Sequence, residues 1–418
     1  MDHPGLLSYS VIISLSLLVI LSYLFDILAR RSRIPSVLLL LTVGIVLRFV
    51  GSHLNIAFLN SRMYLELFGI IGVILIVLEA TLELSLTRAK LPVIKKSLIS
   101  AVLVFLASSL LIALVIKLVL NAPFQSCFVN AVPLAVISSA IVIPSVCNLS
   151  PDKKEFMVYE ATFSDIVGIM IFNFAIQKSL WSASSLFSFA GNLTVITLIS
   201  AVCSLLLMLF IDKIAGHNKF FLLLSILFLV YSLGELFRLS SLLLILVFGL
   251  TLSNVNLIVR GPIKRYLNPY KLNYELRQLK LITSESAFVI RTFFFVLFGY
   301  SIHLAYLLNR EIILLGSLIM VMIFTVRYFH LKYIARVSLF PELFIAPRGL
   351  ITIILYYSIP QQFVLKRFGE GVLFFVILVS SLIMMAGLMH SGSQVTEETE
   401  GLDTLSKNNP PLTQSEGN

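Results

Sequence analysis

Residues 156–176 read FMVYEATFSDIVGIMIFNFAI, an apolar run of membrane-spanning length that nevertheless carries two carboxylates, Glu160 and Asp165. An ionisable side chain in the middle of a membrane helix costs at least about 2.5–3.5 kcal/mol, so it needs a partner, a water-filled cavity or a function. The two acids are five residues apart, which separates them by about 140° around a helix. They therefore point in different directions and are expected to have different partners.

The rest of the chain is as apolar as this run. Of its 418 residues, 58% are hydrophobic and only 12% are charged, and the mean hydropathy is +1.00. No water-soluble domain sustains such a composition over this length. The formal charge of +10 does not indicate a nucleic-acid binder, because the basic residues lie in short clusters between apolar runs. These features predict an all-α polytopic protein embedded in a lipid bilayer.

Apolar windows of about 20 residues predict about 13 transmembrane helices. The ninth and the twelfth of them are short. Residues 391–418 are polar and rich in Glu, Thr, Asn and Pro, so we expect a transmembrane domain over 1–390 and a disordered tail beyond it. The predicted helices span 7–28, 34–51, 64–84, 97–120, 127–146, 156–176, 186–211, 220–237, 240–252, 281–302, 312–331, 343–359 and 372–389.

The basic residues of the connecting loops predict the orientation of the chain. If the N-terminus lies outside, the inward loops hold 19 Lys and Arg residues and the outward loops hold 6. Basic residues accumulate on the cytoplasmic side of membrane proteins. We therefore expect a multi-pass protein of the cell membrane, with its N-terminus outside and its C-terminus in the cytoplasm.

The two halves of the chain resemble each other. Ser36 to Gly44 in the second helix (SVLLLLTVG) has the same Ser to Gly spacing as Ser241 to Gly249 in the ninth (SLLLILVFG). An offset of seven helices relates repeat one, at about 7–176, to repeat two, at about 220–389, with 186–211 as a linker helix. Because seven is odd, the six-helix repeats are inverted in the membrane, which is a transporter plan.

Two predicted helices at equivalent repeat positions carry signals of interruption. The fifth has Ser138, Ser139 and Pro144, and the twelfth has Pro347 next to Arg348. Proline removes a backbone hydrogen bond, and irregular backbone is tolerated in a membrane only where it is buried in protein or lines a cavity. We expect two broken helices that cross near Asp165.

Asp165 is the candidate ion-binding residue. Thr162 lies three residues earlier and shares its face, whereas Ser164 shares the face of Glu160. A carboxyl group without a paired cation favours its protonated form in poorly solvated surroundings. A sodium ion, however, prefers oxygen ligands, and these could come from Asp165, Ser164, Thr162, Ser138 and Ser139. A proton and a monovalent metal ion would then compete for one group.

Other charged residues are assigned simpler roles. Acids and bases near helix ends are explained by solvation at the membrane surface, and Glu79, one turn deeper than Glu83, is interpreted as structural. Arg291, Arg327 and Arg348 are deep. For Arg291 we consider two interpretations, a basic counterpart of Asp165 in the cavity or a side chain that reaches the cytoplasmic surface.

Cysteine and histidine patterns argue against an enzyme with a metal or redox centre. The cysteines, Cys127, Cys147 and Cys203, are far apart and have no C-x-x-C spacing. The histidines form no pair on one helical face, and no nucleophile and base pair is apparent. The sequence therefore predicts neither a cofactor nor an enzymatic activity.

The motif around the two acids resembles the monovalent cation/proton antiporter superfamily, in particular its sodium/proton exchangers, over residues 1–390. The segment from Glu160 to Ile169 is similar to the exchanger pattern Glu-Ser-x-x-Asn-Asp-x-x-Gly-Ile. Weaker similarities lie in Arg33 to Ser36 and in Phe68 to Leu84. Arg348-Gly349-Leu-Ile resembles the exchanger Arg-Gly-Ala-Val.

The resemblance implies a sodium/proton antiporter fold and roles for individual residues. It makes Asp165 the essential ion-binding acid, and it pairs Glu160 with Arg327 in a structural ion pair. It also implies a homodimer that exchanges Na⁺ or K⁺ for H⁺ in pH homeostasis. The short tail has no nucleotide-binding domain of the kind found in potassium-efflux relatives.

Two departures from the family pattern bear on the mechanism. Ser164 stands where electroneutral exchangers have Asn and electrogenic ones have a second Asp, which favours one-for-one exchange. Ser138-Ser139-Ala-Ile replaces the Thr-Asp-Pro of many sodium exchangers, which leaves the choice among Na⁺, K⁺ and Li⁺ open. A potassium efflux channel and a sodium-coupled organic-anion symporter with the same inverted repeats remain alternatives.

Overall fold

The structure is a computed structural model in which every regular element of the described residues is helical. It describes residues 13, 16–28, 35–53, 61–84, 90–147, 149–177, 191, 194, 195, 197–200, 202, 203, 206, 219–236, 241–254, 269–302, 308–365 and 368–408. The helices are α1 (Ser16–Leu28), α2 (Ser36–His53), α3 (Ser61–Glu83), α4 (Leu91–Leu120), α5 (Phe124–Ala135), α6 (Ser139–Ser145), α7 (Pro151–Ala175), α8 (Lys219–Leu236), α9 (Ser241–Ser253), α10 (Pro269–Ser301), α11 (Arg310–Phe329), α12 (Leu350–Tyr357) and α13 (Glu370–Asn408).

The described helices match the predicted ones with two differences. The fifth predicted helix is divided into α5 and α6, and more than half of the seventh, 186–211, lies outside the described residues. The sixth predicted helix is therefore α7, and the numbers coincide again from α8 onward. The all-helical membrane architecture expected from the sequence is confirmed.

Five helical segments are long and apolar enough to cross a bilayer among the described residues: Leu91–Leu120, Phe124–Ser145, Tyr274–Ser301, Arg310–Ala335 and Glu370–His390. Four shorter apolar helices accompany them, at Ser16–Leu28, Ser36–Val50, Phe220–Gly234 and Leu242–Ser253. Helix α7 combines apolar residues with several charges, yet Glu160 and Asp165 are buried in its middle. These two charges are thus covered by protein.

The helices pack into two bundles. In bundle A, α10 packs along α2 and α3, α9 packs on α3 and α8, and Ser22 of α1 bonds to Thr292 of α10. In bundle B, α4 packs on α5, α7 and α11, and α11 packs on α13. Bundle A (α1–α3 and α8–α10) meets bundle B (α4–α7 and α11–α13) along a seam, where α3 contacts α12 and α9 contacts α7.

Two glycines lie at close helix crossings in bundle A. A methyl group on Gly44 of α2 would overlap the backbone of α10 at Val296, and one on Gly249 of α9 would overlap Thr81 of α3. Each crossing joins a helix of predicted repeat one to a helix of predicted repeat two.

Two helix interruptions cross in bundle B. The link between α5 and α6 is extended at Val136 and Ser138, and the Ser138 amide donates to the Pro347 carbonyl at 2.9 Å. A methyl group on Gly349 would lie 2.5 Å from Ser138 Oγ, so this position needs a residue without a side chain. Two non-helical backbone segments, 136–138 and 345–349, thus meet where the sequence predicts a crossing.

Several boundaries differ from the predicted ones; α10, for example, begins at Pro269 rather than at 281. The twelfth predicted helix, 343–359, is helical only from Leu350 to Tyr357, because a turn at 340–344 and a non-helical segment at 345–349 precede it. Helix α13 continues to Asn408, so the change to polar sequence near Ser391 does not coincide with a helix end. The disordered tail and the division into repeats and linker stay predictions.

Candidate functional site

Asp165 lines a small cavity at the seam between the two bundles. Bundle A contributes the α3 residues Ile76, Val77, Ala80 and Thr81, and bundle B contributes Ser139, Thr162, Asp165, Ile166, Ile169 and Ile351. The cavity has room for about one water-sized particle. Because its walls come from both bundles, a relative movement of the bundles would change access to Asp165.

The two oxygens of Asp165 differ in their surroundings. Oδ2 accepts a hydrogen bond from the Ser139 amide at 3.1 Å, at the first residue of α6. Oδ1 is buried and has no hydrogen-bond partner among the described residues, and the same is true of Ser139 Oγ. Thr162 also lines the cavity. Its Oγ1 donates a hydrogen bond to Val158 O at 2.8 Å, which leaves the lone pairs of Oγ1 available.

The structure separates the predicted ligand residues into two groups. Ser139 and Thr162 line the cavity with Asp165. Ser164 Oγ instead accepts from the Ile137 amide at 2.9 Å, and the Ser138 amide bonds to Pro347. Ser164 and Ser138 therefore hold the crossing of the two interruptions together.

Gly168 allows the interruption to approach α7 closely. A methyl group there would overlap the side chain of Val136. Gly168 lies about one helical turn after Asp165, so the close contact and the acid lie on successive turns of α7. The glycine of the sequence motif thus positions α6 against the acid.

Glu160 and Arg327, which the resemblance pairs, are in contact in the core of bundle B. Arg327 Nη2 lies 2.9 Å from Glu160 Oε2, and both side chains are at most 1% exposed. Ser100 Oγ of α4 donates to Glu160 Oε1 at 2.5 Å. Arg327 also donates to the Glu342 carbonyl from Nε and Nη2, at 3.0 and 2.9 Å. The pair therefore ties α4, α7 and α11 to the turn before α12.

Arg348 is fully buried and binds backbone carbonyls. Its Nε donates to Leu134 O at 2.8 Å and its Nη2 reaches Ala135 O at 3.5 Å, the last two residues of α5. Its own amide donates to Ser380 Oγ at 3.0 Å. A cation at a helix C-terminus is favoured by the helix dipole and by the unpaired carbonyls there. Arg348 thus stabilises the interrupted end of α5.

Arg291 does not line the cavity with Asp165. Its Nη2 forms an ion pair with Glu79 Oε2 at 3.0 Å, and its Nη1 donates to Ala140 O at 3.0 Å. Ser284 Oγ holds the other Glu79 oxygen at 3.0 Å. Both members of the pair are partly exposed, at 14% and 17%. Arg291 therefore joins α3 and α10 to α6 across the seam.

Sequence reasoning missed the contribution of α3 to the cavity. Ile76, Val77, Ala80 and Thr81 occupy one face of a predominantly apolar helix, and their residue types do not mark a site. Ser100, which binds Glu160, is one of several small residues on α4. The only available signal was Glu79, a carboxylate placed inside an apolar run.

The site as built can hold a small cation or a proton. Asp165, Ser139 and Thr162 carry oxygen atoms and line a cavity with room for about one water-sized particle, and oxygen ligands suit alkali cations. The basic residues described in the core are engaged elsewhere, with Glu160, Glu79 or backbone carbonyls. Asp165 therefore has no basic side chain as a partner among the described residues.

A known family model covers most of the chain. The chain matches the family model described as sodium/hydrogen exchanger, transmembrane, over residues 15–389. No curated protein sequence matches it.

Solved structures of similar fold include the sodium proton antiporter MjNhaP1 from Methanocaldococcus jannaschii at pH 8. It is 20% identical with a TM-score of 0.64, covering 90% of this chain and 98% of that one. An electron microscopy structure of the same antiporter gives 20% identity and a TM-score of 0.63, covering 91% of this chain and 97% of that one. At this identity the likeness concerns the fold, whereas the family match spans nearly the whole hydrophobic region. The chain belongs to the sodium/hydrogen exchanger family of membrane transporters.

Proposed function

We propose that the protein exchanges Na⁺, K⁺ or Li⁺ for H⁺, with Asp165 as the group for which cation and proton compete. One observation carries the proposal. Asp165 is a buried carboxylate that lines a cavity between two bundles with one oxygen unpartnered among the described residues. An unpaired buried charge is strongly unfavourable, so the carboxylate gains from binding a proton or a metal ion.

Competition for one acid is sufficient to couple the two ions. The empty carboxylate carries a negative charge that low-dielectric surroundings disfavour. The protonated and the metal-bound forms are both neutral at this site. If only neutral forms can pass from one side of the seam to the other, each cation that crosses one way requires a proton to cross the other way.

The crossing of the two interruptions supports alternating access. Ser139, whose amide binds Asp165, is the first residue of α6, and the Ser138 amide is bonded to Pro347 ahead of α12. Asp165 is thus attached to the short helices of bundle B, while α3 of bundle A closes the cavity. A shift of bundle B against α3 would carry the acid between the two sides.

The proposal also includes an orientation and an assembly. The loop charges support a cell-membrane protein with its N-terminus outside and its C-terminus in the cytoplasm. The resemblance to exchangers supports a homodimer. Neither feature enters the chemistry of Asp165.

The experiment is a proton-flux assay on purified protein in proteoliposomes that contain a pH-sensitive dye. An outward or inward gradient of Na⁺, K⁺ or Li⁺ should change the internal pH. The change should be largest for the preferred cation. Asp165→Asn should abolish the change, because an amide cannot bind a proton and a cation in turn. The variant should still fold, since its side-chain oxygen can accept from the Ser139 amide as Asp165 does.

Thr162→Val is a useful companion variant. It removes one cavity hydroxyl but leaves the acid, so exchange should persist with a weaker apparent affinity for the cation. Exchange by Asp165→Asn at the wild-type rate would contradict the site. A cation conductance without proton movement would favour a channel, and uptake of an organic anion with sodium would favour a symporter.

A further inference from the structure

The Glu79 and Arg291 pair lies beside the cavity without lining it. Glu79 adjoins Ala80 on α3, and Ala140 adjoins Ser139 on α6, and both Ala80 and Ser139 line the cavity. Arg291 of α10 binds Glu79 on one side and the Ala140 carbonyl on the other. One guanidinium therefore connects two opposite walls of the cavity at its rim.

Pro144 leaves the Ala140 carbonyl, to which Arg291 binds, without its helical hydrogen bond. Pro144 lies inside α6, four residues after Ala140, and proline has no amide hydrogen to donate to the carbonyl four residues earlier. The Ala140 carbonyl is thus excluded from the helical hydrogen bond, and Arg291 Nη1 occupies it at 3.0 Å. The arrangement is specific to this residue of α6.

The hydrogen bond from Arg291 to Ala140 crosses the seam between the bundles. Arg291 and Glu79 belong to bundle A, whereas Ala140 belongs to bundle B. The neighbouring ion pair, Lys280 with Glu83 at 3.6 Å, joins the same helices α3 and α10 and stays within bundle A. Any movement of α6 away from α3 has to break the Arg291 to Ala140 bond and leaves the Lys280 to Glu83 pair intact.

We propose that Glu79 and Arg291 form a latch over the rim of the Asp165 cavity, which closes this path until the bond from Arg291 to Ala140 breaks. The pair is partly exposed and Asp165 is buried, so the pair is nearer to the molecular surface than the acid. Glu79 orients Arg291, and Arg291 holds α6. The role of the latch in transport depends on the proposed exchange at Asp165, whereas its effect on access does not.

The test measures access to the cavity by thiol labelling. Ala80→Cys is introduced after Cys127, Cys147 and Cys203 have been replaced by alanine, and the rate of reaction with a small neutral thiol reagent is measured in proteoliposomes. Arg291→Gln and Glu79→Gln should each label about tenfold faster, the factor expected for loss of one charge-assisted hydrogen bond. Lys280→Gln should label at the parent rate.

The opposite charges of the two latch residues make the result specific. A purely electrostatic effect on the cysteine would have opposite signs in Arg291→Gln and Glu79→Gln, whereas an opened latch accelerates both. Unchanged labelling in both variants, or equal acceleration in Lys280→Gln, would overturn the proposal. If Arg291→Gln does not fold, Glu79→Gln carries the test, because its amide can still bind Ser284.

The labelling outcome is independent of the exchange assay. If Asp165→Asn retains exchange, the proposed ion site fails and the latch result still stands. If labelling is unchanged while Asp165→Asn is inactive, the latch fails and the ion site stands.

Discussion

At the scale of single residues, the core compensates each buried arginine in a different way. Arg327 pairs with a carboxylate, Arg348 binds the carbonyls at the end of α5, and Arg291 combines a carboxylate with a carbonyl left open by Pro144. Asp165 receives only an amide hydrogen from Ser139. Each of these arginines has a partner other than Asp165 among the described residues, and on the proposed function this leaves the acid to an ion.

The Glu160 and Arg327 pair should act on stability more than on ion binding. Glu160→Gln removes the charge that balances a fully buried guanidinium, and breaking one side of a buried ion pair costs about 3–5 kcal/mol. We expect a marked decrease in thermal stability, measured by the melting temperature in detergent or lipid. Any folded fraction should keep the cation preference of the wild type.

Glu155→Gln is the matched control for Glu160→Gln. It makes the same chemical change on the same helix, in a pair with Lys90 whose side chains are both 36% exposed. Exposed pairs contribute about 0–1 kcal/mol, so its melting temperature should stay near that of the wild type. Equal loss of stability in the two variants would contradict a special role for the buried pair.

At the scale of helices, the prolines of the fifth predicted helix proved poor markers of its interruption. Pro133 and Pro144 both lie within helices, α5 and α6, whereas the extended link at 136–138 contains neither proline nor glycine. The link is held by long-range contacts, from Ser164 to Ile137 and from Ser138 to Pro347. A local signal therefore predicted an interrupted helix but could not predict where it breaks.

Helix crossings in bundle A should depend on glycine where backbone meets backbone. A methyl group at Gly44 would overlap the Val296 carbonyl oxygen and lie 2.7 Å from the Tyr300 nitrogen. Backbone atoms cannot move aside as a side chain can, so Gly44→Ala should destabilise the protein by about 1–3 kcal/mol. The measurement is again the melting temperature.

Gly72→Ala tests whether this cost arises from backbone contact. Its added methyl group would meet only side-chain ends, Ile290 Cγ2 at 3.3 Å and Leu350 Cδ1 at 3.7 Å. These atoms can yield, and alanine has the better helix propensity. A Gly72→Ala variant as unstable as Gly44→Ala would indicate a general intolerance of larger residues in α2 and α3.

At the scale of the whole molecule, the sequence indicated the two buried acids better than it indicated the walls of the cavity. The motif from Glu160 to Gly168 predicted that both acids lie on one helix and that they have different partners. The wall formed by α3 and the seam between bundles A and B could not be predicted, because apolar residues that face a cavity look like those that face lipid. Tertiary packing alone distinguishes them.

The arrangement of acids across the seam predicts electroneutral exchange. Glu160 is bound by Arg327 and Glu79 by Arg291, and Ser164 stands where electrogenic relatives have a second acid. Asp165 is then the one titratable ligand of the cavity among the described residues. On the proposed function, one proton should leave when one monovalent cation binds, so the charge carried in each direction should be equal.

This stoichiometry can be tested by recording charge movement on a solid-supported membrane. Proteoliposomes that show a cation-driven change of internal pH should produce no net transient current when the cation concentration is raised. Asp165→Asn should show neither signal, which controls for leakage. A sustained current in step with the pH change would mean that a second proton moves with each cation, and the count based on Asp165 alone would be wrong.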